Sequence, residues 1–360
     1  HDLPRRMREW NYAGTAVLTD HHLIDFQQGD TTGACYGAAF DIGTTTIAGS
    51  LMDLTTGDEL ALESDINPQV RFGDDVLSRI LHAATPDARA ELRDVLVDTL
   101  NTLIEGLCTQ AGVARDDIYE LSFSGNTTME HLLCGIDVTP LGQVPFVPAH
   151  ARALLVPAQE LGLNVHPRAA AYIFPIIGGF VGGDTVACMV AADFDTDTGP
   201  TLLVDIGTNG EIVLKHGDKI FASSTAAGPA FEGARIRYGM RATTGAIDKI
   251  VITDDVAYTV IGDVAPVGLC GSSLVDLISQ LLSVGLIEYT GVLKSPDDLP
   301  EGLAPALAAR VRIGEKNQPE FLLAAGAEGD IVLTQQDVRE VQLASGAIRA
   351  GISILLASAG

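Results

Sequence analysis

The sequence predicts an α/β protein built of two related lobes, and three observations carry that expectation. A short signature, Asp41-Ile42-Gly43-Thr44-Thr45-Thr46, returns as Asp205-Ile206-Gly207-Thr208-Asn209-Gly210-Glu211, each copy riding on the end of an apolar run. Each copy opens the same succession of strand, tight turn, strand, turn and strand, which is a β-meander. Between and after the meanders lie stretches whose apolar residues recur at helical spacing. With 360 residues, 47% of them apolar, the chain can bury sizeable cores, and its length favours two domains over one.

Taken in order, residues 1–35 carry Arg5, Arg6, Arg8 and Trp10 ahead of a short apolar strand-like piece. They lack the regular pattern of the rest of the chain and read as the tail of a preceding module. The first lobe, residues 36–195, opens near Gly37 with a strand, the glycine–threonine turn, a strand over 47–54, the turn Thr55-Thr56-Gly57-Asp58 and a third strand. Residues 74–112 show helical spacing with few breakers. A short strand over 118–124 then runs into Gly125-Asn126-Thr127-Thr128-Met129 and a helix over 130–135, a strand-to-helix junction with an N-capping residue at its start. A proline-rich crossing (Pro140, Pro145, Pro148, Pro157) leads to the glycine-rich residues 178–184 and an apolar helix through Ala192.

Polar, turn-rich residues 193–200 are the expected boundary. The second lobe, residues 196–360, restarts the pattern with strands over 201–205, 211–215 and 219–223, a duplication of topology and not of residue identity. The loop Ala226-Ala227-Gly228-Pro229-Ala230-Phe231-Glu232-Gly233 is expected to precede a helix. Residues 268–273 lead into an amphipathic helix over 274–284, and a long helix begins near Gln335.

Charge narrows the partners. Lys and Arg number 22 against 47 Asp and Glu, a net charge of −25, which repels nucleic acid and anionic lipid surfaces. Cys35, Cys108, Cys134, Cys188 and Cys270 are odd in number and far apart, mostly in apolar surroundings. They make neither a disulfide framework nor a metal-cluster motif and read as small buried hydrophobes in a reducing cytoplasm. No unbroken run of about 18 apolar residues and no signal peptide is found, so a cytoplasmic protein without a membrane span is expected. His82, His131, His150, His166 and His216 are scattered without ligand spacing and read as surface or satisfied residues.

An Asp closing a buried strand, followed by Gly and small hydroxyl residues, makes a hairpin that can close around phosphate oxygens while the carboxylate faces a divalent cation. One copy is an ordinary hairpin sequence; two at domain spacing point to two lobes facing one nucleotide. On that reading Asp41 and Asp205 hold Mg²⁺ mainly through its waters, and Gly43, Thr44, Thr45 and Thr46, with Gly207, Thr208, Asn209 and Gly210, serve the β- and γ-phosphates. Asp184 and Glu211 are candidates for positioning the attacking water or completing the metal shell. Asp184 reads equally as a helix N-cap, and Asn126 and Thr127 equally as structural caps or nucleotide contacts. Gly228 and Glu232 fit either a nucleotide contact or a packing turn.

The paired hairpins resemble the superfamily of acetate and sugar kinases, heat-shock chaperone ATPases and actin, whose lobes are ribonuclease H-like. A collinear set covering roughly residues 36–360 is more specific. It joins the two signatures to Asn67-Pro68-Gln69, Gly73-Asp74-Asp75-Val76, Gly125-Asn126-Thr127-Thr128-Met129, residues 178–184 and 226–233, and Gly268-Leu269-Cys270-Gly271-Ser272. This set is similar to the ATP-dependent reductive activators of corrinoid proteins. The resemblance implies an ATPase core that drives reduction of cob(II)alamin to cob(I)alamin on a corrinoid protein of a methyltransferase system. It also implies ATP and Mg²⁺ as cofactors and an N-terminal domain with a 2Fe-2S cluster.

Clustered cysteines for that cluster are not in this chain, and the Gly-Gly-Phe-Gly-like adenosine loop is expected after Gly360; residues 1–35 would then end a linker ahead of a truncated core. Lobe closure around ATP is expected to change affinity for the corrinoid partner, a linkage between two sites. A homodimer is left open. A small-molecule kinase with Asp184 as base, and a nucleotide-switched binding module, are the competing classes.

Overall fold

The chain separates into two units, His1–Asp197 and Thr198–Gly360. The structure is a computed structural model that describes residues 3–19, 21–194, 196, 199–314, 317–326 and 329–360.

The N-terminal residues are more regular than the sequence suggests. They form a helix, α1 (Leu3–Glu9), and a hairpin, β1 (Gly14–Thr19) with β2 (His22–Gln28). Trp10 stacks on Phe26 at 5.7 Å, and Arg6 reaches the Asp25 carboxylate at 2.7 Å. The Tyr119 hydroxyl donates to Asp25 (3.0 Å) and accepts from Gln27 (2.8 Å), tying the hairpin to the first unit's main sheet. Replacing Tyr119 by Phe removes a hydrogen bond to a charged group, about 1.5 kcal/mol. Amide exchange in residues 14–28 is expected to quicken about tenfold while residues 36–66 stay protected; unchanged exchange would mean that the hairpin is held by its apolar contacts alone.

That main sheet has six strands: the antiparallel meander β3 (Tyr36–Ile42), β4 (Thr46–Asp53) and β5 (Glu59–Ile66), then β6 (Ile118–Gly125), β7 (Leu154–Pro157) and β8 (Ala170–Ile173). Their spatial order is β5-β4-β3-β6-β8-β7, with β3, β6 and β8 parallel. Period-2 burial turns Ala38, Phe40 and Ile42 inward, while Asp41, between two of them, faces out. Phe40 stacks on Phe123 of β6 at 5.3 Å, opposite Gly49, where a Cβ would lie 2.4 Å from the Phe40 ring. Glycine is needed there to make room.

The helical stretch divides in two, α2 (Val76–His82) and α3 (Pro86–Ala111), because Thr85 caps α3 and Pro86 takes its first position. Leu92, Leu96, Leu100, Ile104 and Leu107 form the buried stripe of α3, which packs on β4 and β5, and Gly112 ends the helix at φ +67°. Two shorter helices, α4 (Thr127–Leu133) and α5 (Gly183–Ala191), start near the end of β6.

The second unit opens with the meander β9 (Thr201–Ile206), β10 (Gly210–His216) and β11 (Lys219–Thr225). From there the two units diverge. The stretch after residue 226 forms only a short turn of helix over Pro229–Glu232 and then irregular turns, so the helix expected after the glycine-rich loop is absent. The reason is local: Gly233 and Arg235 adopt positive φ, and a Cβ at Gly233 would lie 2.5 Å from the Met240 amide nitrogen, so the chain doubles back on itself.

A second sheet comes from β12 (Ala246–Ile252), β13 (Val256–Val260) and the short β14 (Gly268–Leu269), with α6 (Gly271–Ser283) packed on β12. Then come α7 (Pro305–Ala308), the sheet β15 (Val311–Ile313), β16 (Pro319–Gly326) and β17 (Gly329–Thr334), and α8 (Gln335–Ala359). Thr334 and Asp337 form a reciprocal capping box at the start of α8. By length and composition α8 could cross a membrane, yet Val338, Val341, Ala344, Ile348 and Leu355 join the second unit's core.

Among the cysteines, Cys108 and Cys270 are buried, Cys35 and Cys134 are partly exposed, and Cys188 is exposed, contrary to its reading as a buried hydrophobe.

Candidate functional site

In the first unit the signature turn joins β3 to β4. Asp41 lies opposite Ala48 on one side and Ser124 on the other, so it is the acid at the end of a central strand. A Cβ at Gly43 would fall 2.6 Å from the Thr46 carbonyl oxygen, which is why the turn closes only with glycine. The turn is then held from outside. Asn67 donates through Nδ2 to the Gly43 carbonyl (2.8 Å) and through its backbone N–H to Thr45 (2.9 Å). Arg79 donates through Nη2 to the Thr44 carbonyl, and Asn126 through Nδ2 to the Thr44 hydroxyl (3.0 Å). Thr46 is exposed at the start of β4.

Sequence reasoning assigns Asn67 and Arg79 no role, yet both are fully buried and both grip this turn. Arg79 shares a helical face with buried Ile80 and Ala83, and a cation at apolar spacing is the available signal.

At the end of β6 two helix starts meet. Asn126 is the N-cap of α4, accepting from the Met129 N–H at 3.1 Å, so one side chain both caps a helix and holds Thr44. Thr127 is 1% exposed and its hydroxyl donates to the Gly178 carbonyl at 2.6 Å, which makes it a packing pin and leaves no open face for a nucleotide. A Cβ at Gly182 would lie 2.4 Å from the Gly125 carbonyl oxygen and 2.7 Å from the Thr127 nitrogen. The backbone of the α5 start therefore rests directly on the α4 start. The N-cap of α5 is Gly182, so Asp184 is not the cap; it sits in the first turn, its carboxylate accepting from the Thr185 N–H at 2.7 Å.

The second unit repeats the turn with a different donor set. Asp205 on β9 and Glu211 on β10 are directly paired residues of adjacent antiparallel strands, and the Ser224 hydroxyl of β11 donates to Glu211 at 3.0 Å. Burial pushes the Asp205 carboxyl above its ordinary value against one opposing backbone hydrogen bond from Ile206. A divalent cation would relieve that cost. Gly207 donates to the Asn209 carbonyl (3.0 Å), Gly228 to the Thr208 carbonyl (2.8 Å), and the Thr208 hydroxyl to Glu232. Gly228 and Glu232 thus clamp the second turn in place. Gly210 is buried, its carbonyl accepting from Thr225, and a Cβ there would press on Thr225 and Ile348; it is a packing residue.

Comparison with known proteins gives these turns a context. The family described as the RACo middle region matches residues 36–197, and the C-terminal domain of RACo, the ASKHA domain, matches residues 199–360. The corrinoid activation enzyme RamQ of Eubacterium limosum is 38% identical over 346 residues, 94% of this chain and 58% of the relative. A [Co(II) methylated amine-specific corrinoid protein] reductase of Methanosarcina barkeri is 28% identical over 359 residues, 90% of this chain and 60% of the relative. The solved structure of a reductive activator for corrinoid, iron-sulfur protein superposes with a TM-score of 0.84 at 36% identity, covering 99% of this chain and 57% of that one. The chain therefore spans somewhat more than half the length of these relatives. Its α/β fold is that of the actin-like ATPase and sugar-kinase superfamily. The chain belongs to the RACo family, with the middle region in residues 36–197 and the ASKHA domain in residues 199–360.

Proposed function

We propose that the protein is an ATP-dependent reductive activator of a corrinoid protein, coupling ATP binding and hydrolysis to reduction of cob(II)alamin to cob(I)alamin for methyl transfer. The observation that carries the nucleotide half of this reading is the opposed pair Asp205 and Glu211 beside a turn clamped by Gly228 and Glu232. Two carboxylates on neighbouring strands, one of them raised by burial, suit Mg²⁺, which keeps part of its water shell and asks for few protein ligands. Phosphoryl transfer needs placement and charge neutralisation more than covalent chemistry. Asp41 and Asp205 would face the metal, the hydroxyls of Thr44, Thr45 and Thr46 and the backbone N–H of Thr208 the phosphates, and Asp184 or Glu211 would orient the attacking water.

The corrinoid half rests on the relatives' names, which specify corrinoid activation and a Co(II) corrinoid protein reductase. Cobalt(II) with an axial ligand is reduced at too low a potential for ordinary donors, so nucleotide turnover would act by changing affinity between activator and corrinoid partner. On this reading a 2Fe-2S cluster supplies electrons from cysteines outside these 360 residues; among the described residues no three His, Cys, Asp or Glu side chains gather as a metal site. The protein would work in the cytoplasm.

The test is ATP hydrolysis by the full-length protein with and without a cob(II)alamin-loaded partner, following the corrinoid optically. Partner-dependent hydrolysis with cob(I)alamin formation is expected, and Asp205→Ala is expected to lower turnover at least about 100-fold. Hydrolysis indifferent to every corrinoid protein would reject the reading.

A further inference from the structure

Behind the meeting point of α4 and α5 lies an acid that the proposed nucleotide chemistry does not use. Glu130 is 4% exposed, and its Oε1 has no hydrogen-bond partner among the described residues. That oxygen is aimed at the first turn of α5: a Cβ at Gly183 would fall 2.0 Å from Oε1 and 2.9 Å from the carboxyl carbon. The carboxyl thus rests on the glycine immediately before Asp184.

Among the described residues no cation compensates Glu130, and the one opposing influence is a backbone hydrogen bond from Gly125. From α5 it faces Asp184; from its own helix, His131 and Cys134; from the segment before β7, His150 and the exposed Arg152; from the end of β8 and beyond, apolar Ile173 and Phe174. His131 is held as a neutral imidazole, its Nδ1 on the Thr127 carbonyl (2.7 Å) and its Nε2 accepting from the His150 N–H (3.3 Å), with burial pushing its pKa down. His150 Nε2, lining the same small cavity, is the other buried side-chain atom without a partner among the described residues, an exception to the satisfied histidines expected from the sequence. Arg93 of α3 turns to the Leu133 carbonyl instead. Burial, and then the charge of Asp184, push the Glu130 carboxyl up to about 9.

We propose that Glu130 is a positioning residue for Asp184, a buried neutral acid that fixes Asp184 as the single anion at the start of α5. The inference rests on the role proposed for Asp184 in orienting the attacking water. A helix N-terminus favours one anion, and a second charged carboxylate nearby would repel it. Hydrolysis should therefore fall as pH rises through the titration of Glu130, because Asp184 loses its orientation.

Two readouts test this in the full-length protein. In the pH profile of ATP turnover, the wild type is expected to lose activity on the alkaline side near pH 9. Glu130→Gln, which cannot ionise, is expected to turn over about three- to tenfold more slowly at pH 7 and to lack that alkaline fall. Superimposable profiles would overturn the proposal.

The second readout needs no hydrolysis. By difference infrared spectroscopy, a protonated-carboxyl band at neutral pH should vanish in Glu130→Gln, and in Asp184→Asn its titration midpoint should drop by about one pH unit as the neighbouring charge is removed. A missing band, or an unmoved midpoint, would overturn the proposal even if the glutamine variant failed to fold. Absence of ATP turnover in the wild type would sink the proposed function and leave the infrared result to decide the coupling.

Discussion

Arg79→Ala is expected to unfold the first unit about 3 kcal/mol more easily and to weaken nucleotide binding by at least about tenfold. The guanidinium is fully buried and forms no ion pair among the described residues; its donors go to carbonyls and neutral side chains. Nε reaches the Gly73 carbonyl at 3.0 Å, Nη1 reaches Gln69 and the Met129 sulfur, and Nη2 the Thr44 carbonyl in the signature turn. Burial lowers its pKa to about 10, so it stays charged at neutral pH. Truncation strands several buried acceptors at once and opens a cavity, and each of those effects costs on the order of 1–3 kcal/mol. Lysine keeps the charge without the planar fork and should recover only part of the loss. The measurements are a urea midpoint and ATP affinity for the wild type, Ala and Lys. An alanine variant as stable as the wild type would show that Asn67 and Asn126 hold the turn unaided.

That result would also mark where sequence reasoning stops. The meanders, and Asp41 and Asp205 at the ends of their first strands, are legible because an apolar run, a glycine and small hydroxyl residues are all local signals. Arg79 looks like a solvent-facing cation in an amphipathic helix until the fold brings Thr44 to it from 35 positions away. The helix expected after residue 226 fails for a comparable reason. Gly233 is demanded by the return of Gly239 and Met240 against it, a contact that local propensity cannot foresee. In the sequence Asp184 is open between cap and site residue because both readings place an acid near a helix start. The structure removes the cap reading by giving that position to Gly182, whose missing side chain lets α5 rest on Asn126 and Thr127.

Glu130→Gln is expected to stabilise the first unit, and increasingly so with rising pH. The folded state lifts this carboxyl from 4.5 to about 9. Below about pH 4.5 the acid is protonated in both folded and unfolded chains and imposes no titration cost. Between pH 4.5 and 9 the unfolded chain gives up a proton that the folded chain retains, so wild-type stability falls with pH through this window. At roughly 1.4 kcal/mol per pH unit the cost reaches about 3 kcal/mol at pH 7. A glutamine of the same shape never ionises in either state and escapes it. Urea unfolding at pH 5 and pH 8 should therefore show a wild type that weakens and a variant that does not. A variant less stable than wild type at both pH values would mean that Glu130 is ionised and held in the folded state. A cost of this size, borne against the start of α5 beside Asp184, is what the positioning role proposed for Glu130 predicts.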